Sequence, residues 1–414
     1  MKRVVVVGGG VIGLCTALEC ARRGHQVSVI DREPARRGAS LGNAGMIVPS
    51  HFVPLAAPGM VALGLKWMWN PESPFYILPR WDWELIAWAL RFWRASNRRQ
   101  VERAAPVLRD WHLASRAAFE RLAADVDDFS LTKRGLLVLC QAAHTLAEEA
   151  QTAERARALG IPAEVFDARQ TAAVELGLTM EIAGAVYYPR DAHLDPARLV
   201  AALEKRLRAA GVEFVPDTEV TGWFREGSRI RAARLSRGEI AGDDFVLAGG
   251  AWSPSLAQEL GLRLPMQAGK GYSVTLAEPV ERPEICAILA EARVAMTPMG
   301  GALRFGGTME LAGMDERINA RRVSGIIRAA CAYFPRFRPE HFVGIQPWSG
   351  LRPCSPDGLP YLGRTSAASN LLVATGHAMM GLSLAPVTGE TIAQILDGEA
   401  PPLDLDLFGV DRFA

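Results

Sequence analysis

No stretch of about 18 uninterrupted apolar residues occurs in this chain, so no segment reads as a membrane-spanning helix. Cysteine is sparse. Cys15, Cys20, Cys140, Cys286, Cys331 and Cys354 are widely separated except for the first two, and there is no Cys-x-x-Cys. That spacing supports neither a zinc knuckle nor a dithiol redox motif, gives no metal expectation, and makes a reduced, cytoplasmic compartment the default. Charge of one sign is also lacking. The 46 Lys and Arg against 45 Asp and Glu leave +1 with no acidic or basic tail, so nothing draws the chain as a whole to nucleic acid. The 39 glycines and 26 prolines are dispersed, which argues against low complexity, and no internal repeat is found. Lys2-Arg3 before an apolar run imitates a signal peptide. Gly8, Gly9, Gly10 and Gly13 interrupt that run, and no small-residue cleavage site precedes Arg22.

The 414 residues suffice for two or three domains' worth of core. Residues 4–7, all valine, read as a central parallel strand covered on both faces. A helix over 11–23, ended by Gly24, and a strand over 26–30, closed by Asp31, complete a βαβ opening. Gly8-x-Gly10-x-x-Gly13 supplies a tight turn, close backbone approach to a pyrophosphate, and close helix–strand packing. The phosphates would meet the positive end of the helix that starts at Val11 and Ile12. Asp31, 18 residues past Gly13, stands where a carboxylate accepts ribose hydroxyls, with a cap for residues 32–35 as the alternative. It argues against a 2′-phosphate. Arg32 is carried as a nucleotide-site residue, although Arg32, Arg36 and Arg37 together read as a solvated cluster.

Residues 38–60 are rich in small residues without a period, and such long irregular stretches are more often functional than slack. Helices are expected over 61–107, 108–122, 145–159, 197–210 (Pro196 in its first turn) and 321–334. Strands are expected over 135–140, 212–215, 230–235, 245–247, 272–276, 294–298, 302–307 and 371–374. A glycine turn and a helix to about residue 396 close the chain. Parallel-type segments at both ends and antiparallel ones between them imply two interleaved domains, α/β with α+β.

Four groups of residues carry a family likeness: Gly38-Ala39-Ser40-x-x-Asn43-Ala44-Gly45-Met46, Asp191-x-His193-x-x-Pro196, Lys270-Gly271-Tyr272-Ser273, and Gly350-Leu351-Arg352-Pro353 with the run 381–389. With them the chain resembles the D-amino-acid oxidase superfamily of FAD enzymes. The likeness leans to its bacterial D-amino-acid dehydrogenase and glycine oxidase branches, including dehydrogenases of D-proline and hydroxy-D-proline. The resemblance implies a glutathione-reductase-like fold in which a Rossmann-type FAD-binding domain (1–60, 185–262, 345–414) interleaves with an antiparallel-sheet substrate domain (61–184, 263–344). It implies non-covalent FAD, since Gly350 stands where sarcosine oxidases carry the tethering cysteine. Ser40, Asn43, Ala44 and Gly45 would run past the pyrophosphate and flavin ring, Val220 would hold adenine, and Ala248 and Gly249 would form a second turn near the nucleotide. Gly376, His377, Gly381 and Leu382 would turn into the last helix with N–H groups near the flavin O2 edge.

Oxidising an amino acid by hydride loss from Cα requires a carboxylate anchor and a neutral amine, and strictly no protein base. Arg352 matches the family anchor, and its planar fork suits bidentate pairing; a turn salt bridge to Asp357 is the alternative. Tyr272 and His51 are candidate pocket residues, against a sheet tyrosine and a satisfied loop histidine, and His193 reads as structural. The expected activity is FAD-dependent dehydrogenation of a small-molecule D-amino acid, with D-proline or hydroxy-D-proline as candidates, passing electrons to a quinone-linked or other acceptor. The rivals are an oxidase of glycine or D-amino acids that makes peroxide and a flavoprotein without turnover.

Six of the ten tryptophans (Trp67, Trp69, Trp81, Trp83, Trp88, Trp93) fall within 27 residues, with Arg91, Arg94, Arg98 and Arg99 at the far end. Such a cluster fits either filling of the substrate-domain core or a helix at the inner face of the cell membrane; core filling is the default.

Overall fold

The computed structural model describes residues 1–32, 38–68 and 73–414. Strand Arg3–Val7 lies inside a six-stranded sheet ordered Tyr361–Thr365, Ala368–Thr375, Asp244–Leu247, Arg3–Val7, Gln26–Ile30, Glu213–Val215. All neighbours are parallel except the first pair. Val4 to Val7 are buried because helices cover one face and a three-stranded sheet (Val220–Glu226, Arg229–Leu235, Glu239–Ala241) covers the other. Helix Val11–Arg22 packs against helix Ala385–Leu396, so both ends of the chain build one layer. Their contact is backbone-close: a Cβ on Gly389 would stand 2.6 Å from the backbone of Cys15.

A second, larger sheet runs Trp348–Cys354, Gln267–Leu276, Ala302–Leu311, Val294–Met299, Cys286–Leu289, Leu136–Cys140, Gly184–Tyr188, Glu164–Asp167, with Phe75–Ile77 beside Ala302–Leu311. Its strands correct the expected domain boundaries. Residues 185–188 of strand Gly184–Tyr188, and strand Trp348–Cys354, expected in the cofactor domain, pair within this second sheet. Helix Arg98–Ala123, assigned to the substrate domain, instead buries Leu108, Trp111, Phe119 and Leu122 in the cofactor-domain core. That helix also continues through Pro106, where two helices were expected. Burial of its inner face from Ala104 to Leu122 outweighs the one backbone bond that proline removes. The strand Val220–Glu226, the strand Glu164–Asp167 and the helix Ala168–Val174 were not anticipated. Pro196 does open helix Pro196–Ala209, capped by Asp195, whose Oδ1 accepts the Ala197 N–H at 2.9 Å.

The tryptophans answer to neither simple reading. Helix Trp83–Ala95, capped by Asp82, turns Leu85 and Trp88 inward, and the Trp88 indole donates to the Cys354 carbonyl at 2.8 Å. Its other face carries Trp83, Ile86, Leu90 and Trp93 into solvent; Trp83 is 80 % exposed and the neighbouring Trp81 is 96 % exposed. Core filling therefore accounts for Trp88, while Trp67 is half-buried. Trp69, like Arg36 and Arg37, lies outside the described residues. Among the described residues no helix is long and apolar enough to cross a membrane.

Burial fixes how stability responds to pH. Desolvation holds His112 and His377 at about 3 and His193 at about 4, so all three fold uncharged. The unfolded chain protonates them near their ordinary 6.5, so their contribution is present above 6.5 and is lost as pH falls toward 4. Asp191 acts oppositely, because burial raises it to about 7 and its folded form is favoured as pH falls. With His51, which burial and the Arg293 charge lower to about 4, the buried histidines outweigh Asp191 and the raised carboxyls of Glu19, Glu149 and Glu175, and a urea midpoint that declines from pH 7 to about 4.5 is expected, with a shallower decline in His112→Gln. A flat or rising midpoint across that span would contradict this account.

Candidate active site

A cavity of about 500 Å³ opens where the two sheets meet, within the size range usual for ligand sites. Its nucleotide end is built from the first turn. Gly8 has φ +115°, and a Cβ there would stand 2.4 Å from the Ala248 carbonyl oxygen. A Cβ on Gly13 would stand 1.9 Å from the Gly8 carbonyl, so helix Val11–Arg22 approaches its strand only with glycine at that position. Gly10, Val11 and Ile12 line the cavity, while Gly13 lies behind them as the packing contact. Asp31 lines it as well, and its Oδ2 accepts the Gly9 N–H at 2.5 Å. Arg32 lies with its guanidinium 3.9 Å above the Trp252 ring on the same rim.

Ser40 and Asn43 line the cavity, with a twist on the expected role. Ser40 Oγ accepts the Val11 N–H at 3.0 Å and so caps the first helix, whose own cap position is Gly10 and carries no side chain. Val220, Ala248 and Gly249 line the nucleotide end, and His377, Gly381 and Leu382 the end near the last helix. Ala44, Gly45 and Gly376 are not lining residues. Ala44 packs into an apolar cluster, Gly45 closes on Leu194 (N–H to the Gly45 carbonyl, 2.8 Å), and Gly376 makes room for the Tyr361 ring. Thr218, Thr221, Trp252, Ser255 and Leu256 line the site without having been anticipated. The small-residue turn at Gly249-Gly250-Ala251 running straight into Trp252 was the available signal for part of that set.

Arg352 sits in strand Trp348–Cys354 and faces the cavity. Its Nη1 donates to the Thr308 carbonyl at 2.7 Å, and desolvation holds its pKa below the usual value. Two features make its seat. Lys270 pairs with Glu310 and Tyr272 with Gly307, so Thr308 and Met309 together face Gly271 as a β-bulge. Thr308 there takes φ +69°, uncommon for a β-branched residue, which aims its carbonyl at the guanidinium. Gly271 leaves the space, since a Cβ would stand 2.1 Å from Arg352 Nη1. The alternative salt bridge does not form: Asp357 pairs with Arg412 at 2.8 and 3.0 Å. Among the described residues Arg352 has no carboxylate partner, and the cavity's own carboxylates (Asp31, Glu219, Glu259) all lie at the nucleotide end. A desolvated, unpaired guanidinium is a site for an anion.

Tyr272 is not brought to Arg352. Strand alternation puts Gly269, Gly271 and Ser273 on the Arg352 face and Tyr272 on the other, where it is buried and donates to Glu310 Oε2 at 2.7 Å. His51 is also outside the cavity lining. Its Nδ1 lies 3.2 Å from Ser50 Oγ, and burial, then the Arg293 charge, lowers it to about 4. Ser50 in turn donates its N–H and hydroxyl to the buried Asp191. His377 bonds Thr388 Oγ1 at 3.1 Å through Nε2 and is a turn residue.

A family model described as FAD dependent oxidoreductase matches residues 3–395. A D-amino acid dehydrogenase of Rhizorhabdus wittichii is 33 % identical, covering 99 % of this chain and 100 % of that protein. One of Paramagnetospirillum magneticum is 34 % identical over 99 % of each. Among solved structures, glycine oxidase from Geobacillus kaustophilus is 26 % identical with a TM-score of 0.80, covering 100 % and 99 %. L-Proline dehydrogenase from P. horikoshii, 19 % identical with a TM-score of 0.75 over 100 % and 97 %, shares the fold.

The described residues fit FAD: the glycine-backed turn, the Asp31 carboxylate and the backbone at Ala248 and Gly249 form one continuous cradle. Removing a charged hydrogen-bonding group typically costs about 1.5–3 kcal/mol, roughly 10–100-fold in affinity. Asp31→Ala is therefore expected to weaken FAD by that factor, and Gly13→Ala to yield colourless protein. Wild-type FAD occupancy at low FAD concentration in either variant would refute the assignment.

Proposed function

The chain belongs to the FAD-dependent oxidoreductase family, and on that premise we propose that it dehydrogenates D-amino acids. The observation that carries the reading is Arg352, a desolvated guanidinium with no carboxylate partner among the described residues, facing the cavity from a notch made by Gly271. Full-length relatives at 31–34 % identity, all named D-amino acid dehydrogenase, support it.

Bound FAD supplies the acceptor for the hydride that leaves the substrate Cα. Arg352 pairs the substrate carboxylate, and the Thr308 carbonyl, accepting from Nη1, holds the guanidinium in place. No described carboxylate lines the Arg352 end, so nothing there holds the substrate nitrogen as an ammonium, and it sheds its proton to solvent. His377, neutral and committed to Thr388, keeps the adjoining turn in place rather than moving a proton. Around the anchor strand, Met309, Leu311, Ala378 and Leu55 form an apolar cluster. Of that cluster only Ala378 lines the cavity, beside Leu351 and Pro353, and this small apolar lining is compatible with a compact D-amino acid such as D-proline or hydroxy-D-proline. Gly350 offers no nucleophile and its side-chain space is filled by Trp348, which supports non-covalent FAD.

For the acceptor, a quinone-linked partner is the first choice. The exposed Trp81, Trp83, Ile86, Leu90 and Trp93, beside Arg94, Arg98 and Arg99, make a surface suited to anionic lipid at the inner face of the cell membrane. Direct reduction of oxygen is the second reading, favoured by the glycine oxidase likeness.

Breaking a buried ion pair typically costs about 3–5 kcal/mol, so Arg352→Ala should lower kcat/KM by roughly 10²–10³-fold or more with FAD retained. Arg352→Lys should recover only part. Near-normal kinetics in Arg352→Ala would move the anchor elsewhere. Anaerobic bleaching of the flavin by D-amino acids, with fast recolouring by a quinone analogue and slow recolouring in air, separates the dehydrogenase from the oxidase. In a flotation assay the protein should rise with anionic vesicles, and the triple variant Trp81→Ser, Trp83→Ser, Trp93→Ser should not. A wild-type protein that ignores such vesicles removes the membrane contact.

A further inference from the structure

Three successive backbone carbonyls, those of Leu41, Gly42 and the cavity-lining Asn43, are taken up by side chains of the substrate sheet. Arg304 Nη1 donates to the Leu41 carbonyl at 2.9 Å and to the Asn43 carbonyl at 2.7 Å. Ser273 Oγ donates to the Gly42 carbonyl between them at 3.1 Å. The Trp348 indole lies against the same tripeptide, where a Cβ on Gly42 would stand 1.9 Å from the ring and a Cβ on Gly350 2.1 Å. Arg304 Nε is tied to Thr275 Oγ1 at 3.0 Å, which fixes the guanidinium plane. Burial lowers the pKa of Arg304, and the Asp195 charge raises it only in part. A half-buried cation holds two backbone carbonyls.

The three clamping residues come from three adjacent strands and share one sheet face. Ser273 faces Trp348 directly across one strand pair, and Thr275 faces Arg304 across the other. Trp348, Gly350 and Arg352 then follow at alternate positions of their strand, with Gly271 opposite Gly350. The face that grips the wall beside Asn43 is therefore the face that carries Arg352.

We infer that Arg304, with Ser273 and Trp348, is a positioning device that locks the cofactor wall at residues 41–43 to the sheet bearing the substrate anchor, and so sets how Cα is presented to the flavin. None of the three needs to touch substrate. The inference rests on the proposed amino-acid oxidation for its kinetic part and not for its cofactor part.

The test titrates FAD into apoprotein and records the flavin visible spectrum before any substrate is added. Losing two hydrogen bonds from a charged donor should weaken FAD by roughly 10–100-fold in Arg304→Met. Arg304→Lys, able to reach one carbonyl, should fall between. Ser273→Ala, a neutral bond, should weaken FAD by about 2–10-fold, and it keeps the test open if Arg304→Met does not fold. In loaded enzyme, kcat should fall with the D-amino-acid KM within about twofold, the reverse of the binding defect expected at Arg352. Wild-type FAD affinity and spectrum in Ser273→Ala and either Arg304 variant would overturn the inference, as would a raised KM with kcat intact. Failure of every D-amino acid to bleach the flavin, with the FAD shifts present, would sink the proposed substrate and leave the clamp standing.

Discussion

The distance between residue 13 and the carbonyl of Gly8 governs the rest of the molecule. With only 1.9 Å available to a Cβ, the first helix can lie as low as it does on the sheet only because that position is glycine. Lying low, it presents its N-terminus directly at the cavity floor, and Ser40 can reach across to cap it. Its far side then receives helix Ala385–Leu396 at backbone contact distance through Gly389. The C-terminal strand and the turn before that helix are thereby brought to the same cavity as the N-terminal turn. A larger residue at 13 would lift the helix, and with it would go the registration of the first and last segments of the chain.

The second sheet meets this cradle with one face whose residues are chosen by space as much as by chemistry. Gly271 and Gly350 have no side chains so that Arg352 and Trp348 can lie flat, and Gly42 has none so that the indole can reach the wall. Thr308 takes a left-handed conformation so that a carbonyl, otherwise spent in the ladder, meets the guanidinium. Such a backbone departure typically costs about 1–3 kcal/mol and persists only where its surroundings impose it. Here the surroundings are the bulge and a half-buried, desolvated cation with no carboxylate among the described residues to neutralise it. Neutral histidines nearby are consistent with the same dry setting.

What could be read from the sequence was what depends on local pattern. The valine strand, the glycine turn, Asp31 and the proline-started helix at 196 are each encoded within a few residues, and each stands where expected. Arg352 was legible through its family motif, but its seat was not: the bulge at Thr308 exists only in the pairing of two strands far apart in sequence. The same non-local pairing carried strand Trp348–Cys354 across the expected domain boundary. Tyr272 was misassigned because a strand's residues alternate between faces, and which parity faces the cavity is decided by the partner strand. Arg304 gave no signal at all, since an arginine in an alternating strand reads as solvent-facing until the wall it holds is in place.

Helix Trp83–Ala95 departs most from ordinary amphipathic design. One apolar stripe, Leu85, Trp88 and Phe92, is consumed by the anchor strand, yet Trp83, Ile86, Leu90 and Trp93 form a second stripe that is exposed among the described residues. Each indole carries about 150–250 Å² of surface, so with Trp81 the uncovered area is comparable to the roughly 300–600 Å² of the largest patch on a typical monomer. The two stripes are mechanically one object, because Trp88 is bonded to the carbonyl of Cys354, two residues from Arg352. Whatever rests on the outer stripe therefore rests on the element that roofs the anchor strand. Covering the outside and organising the inside are two loads on the same three and a half turns of helix, which gives a physical reason for a helix apolar on both faces at this place in the fold.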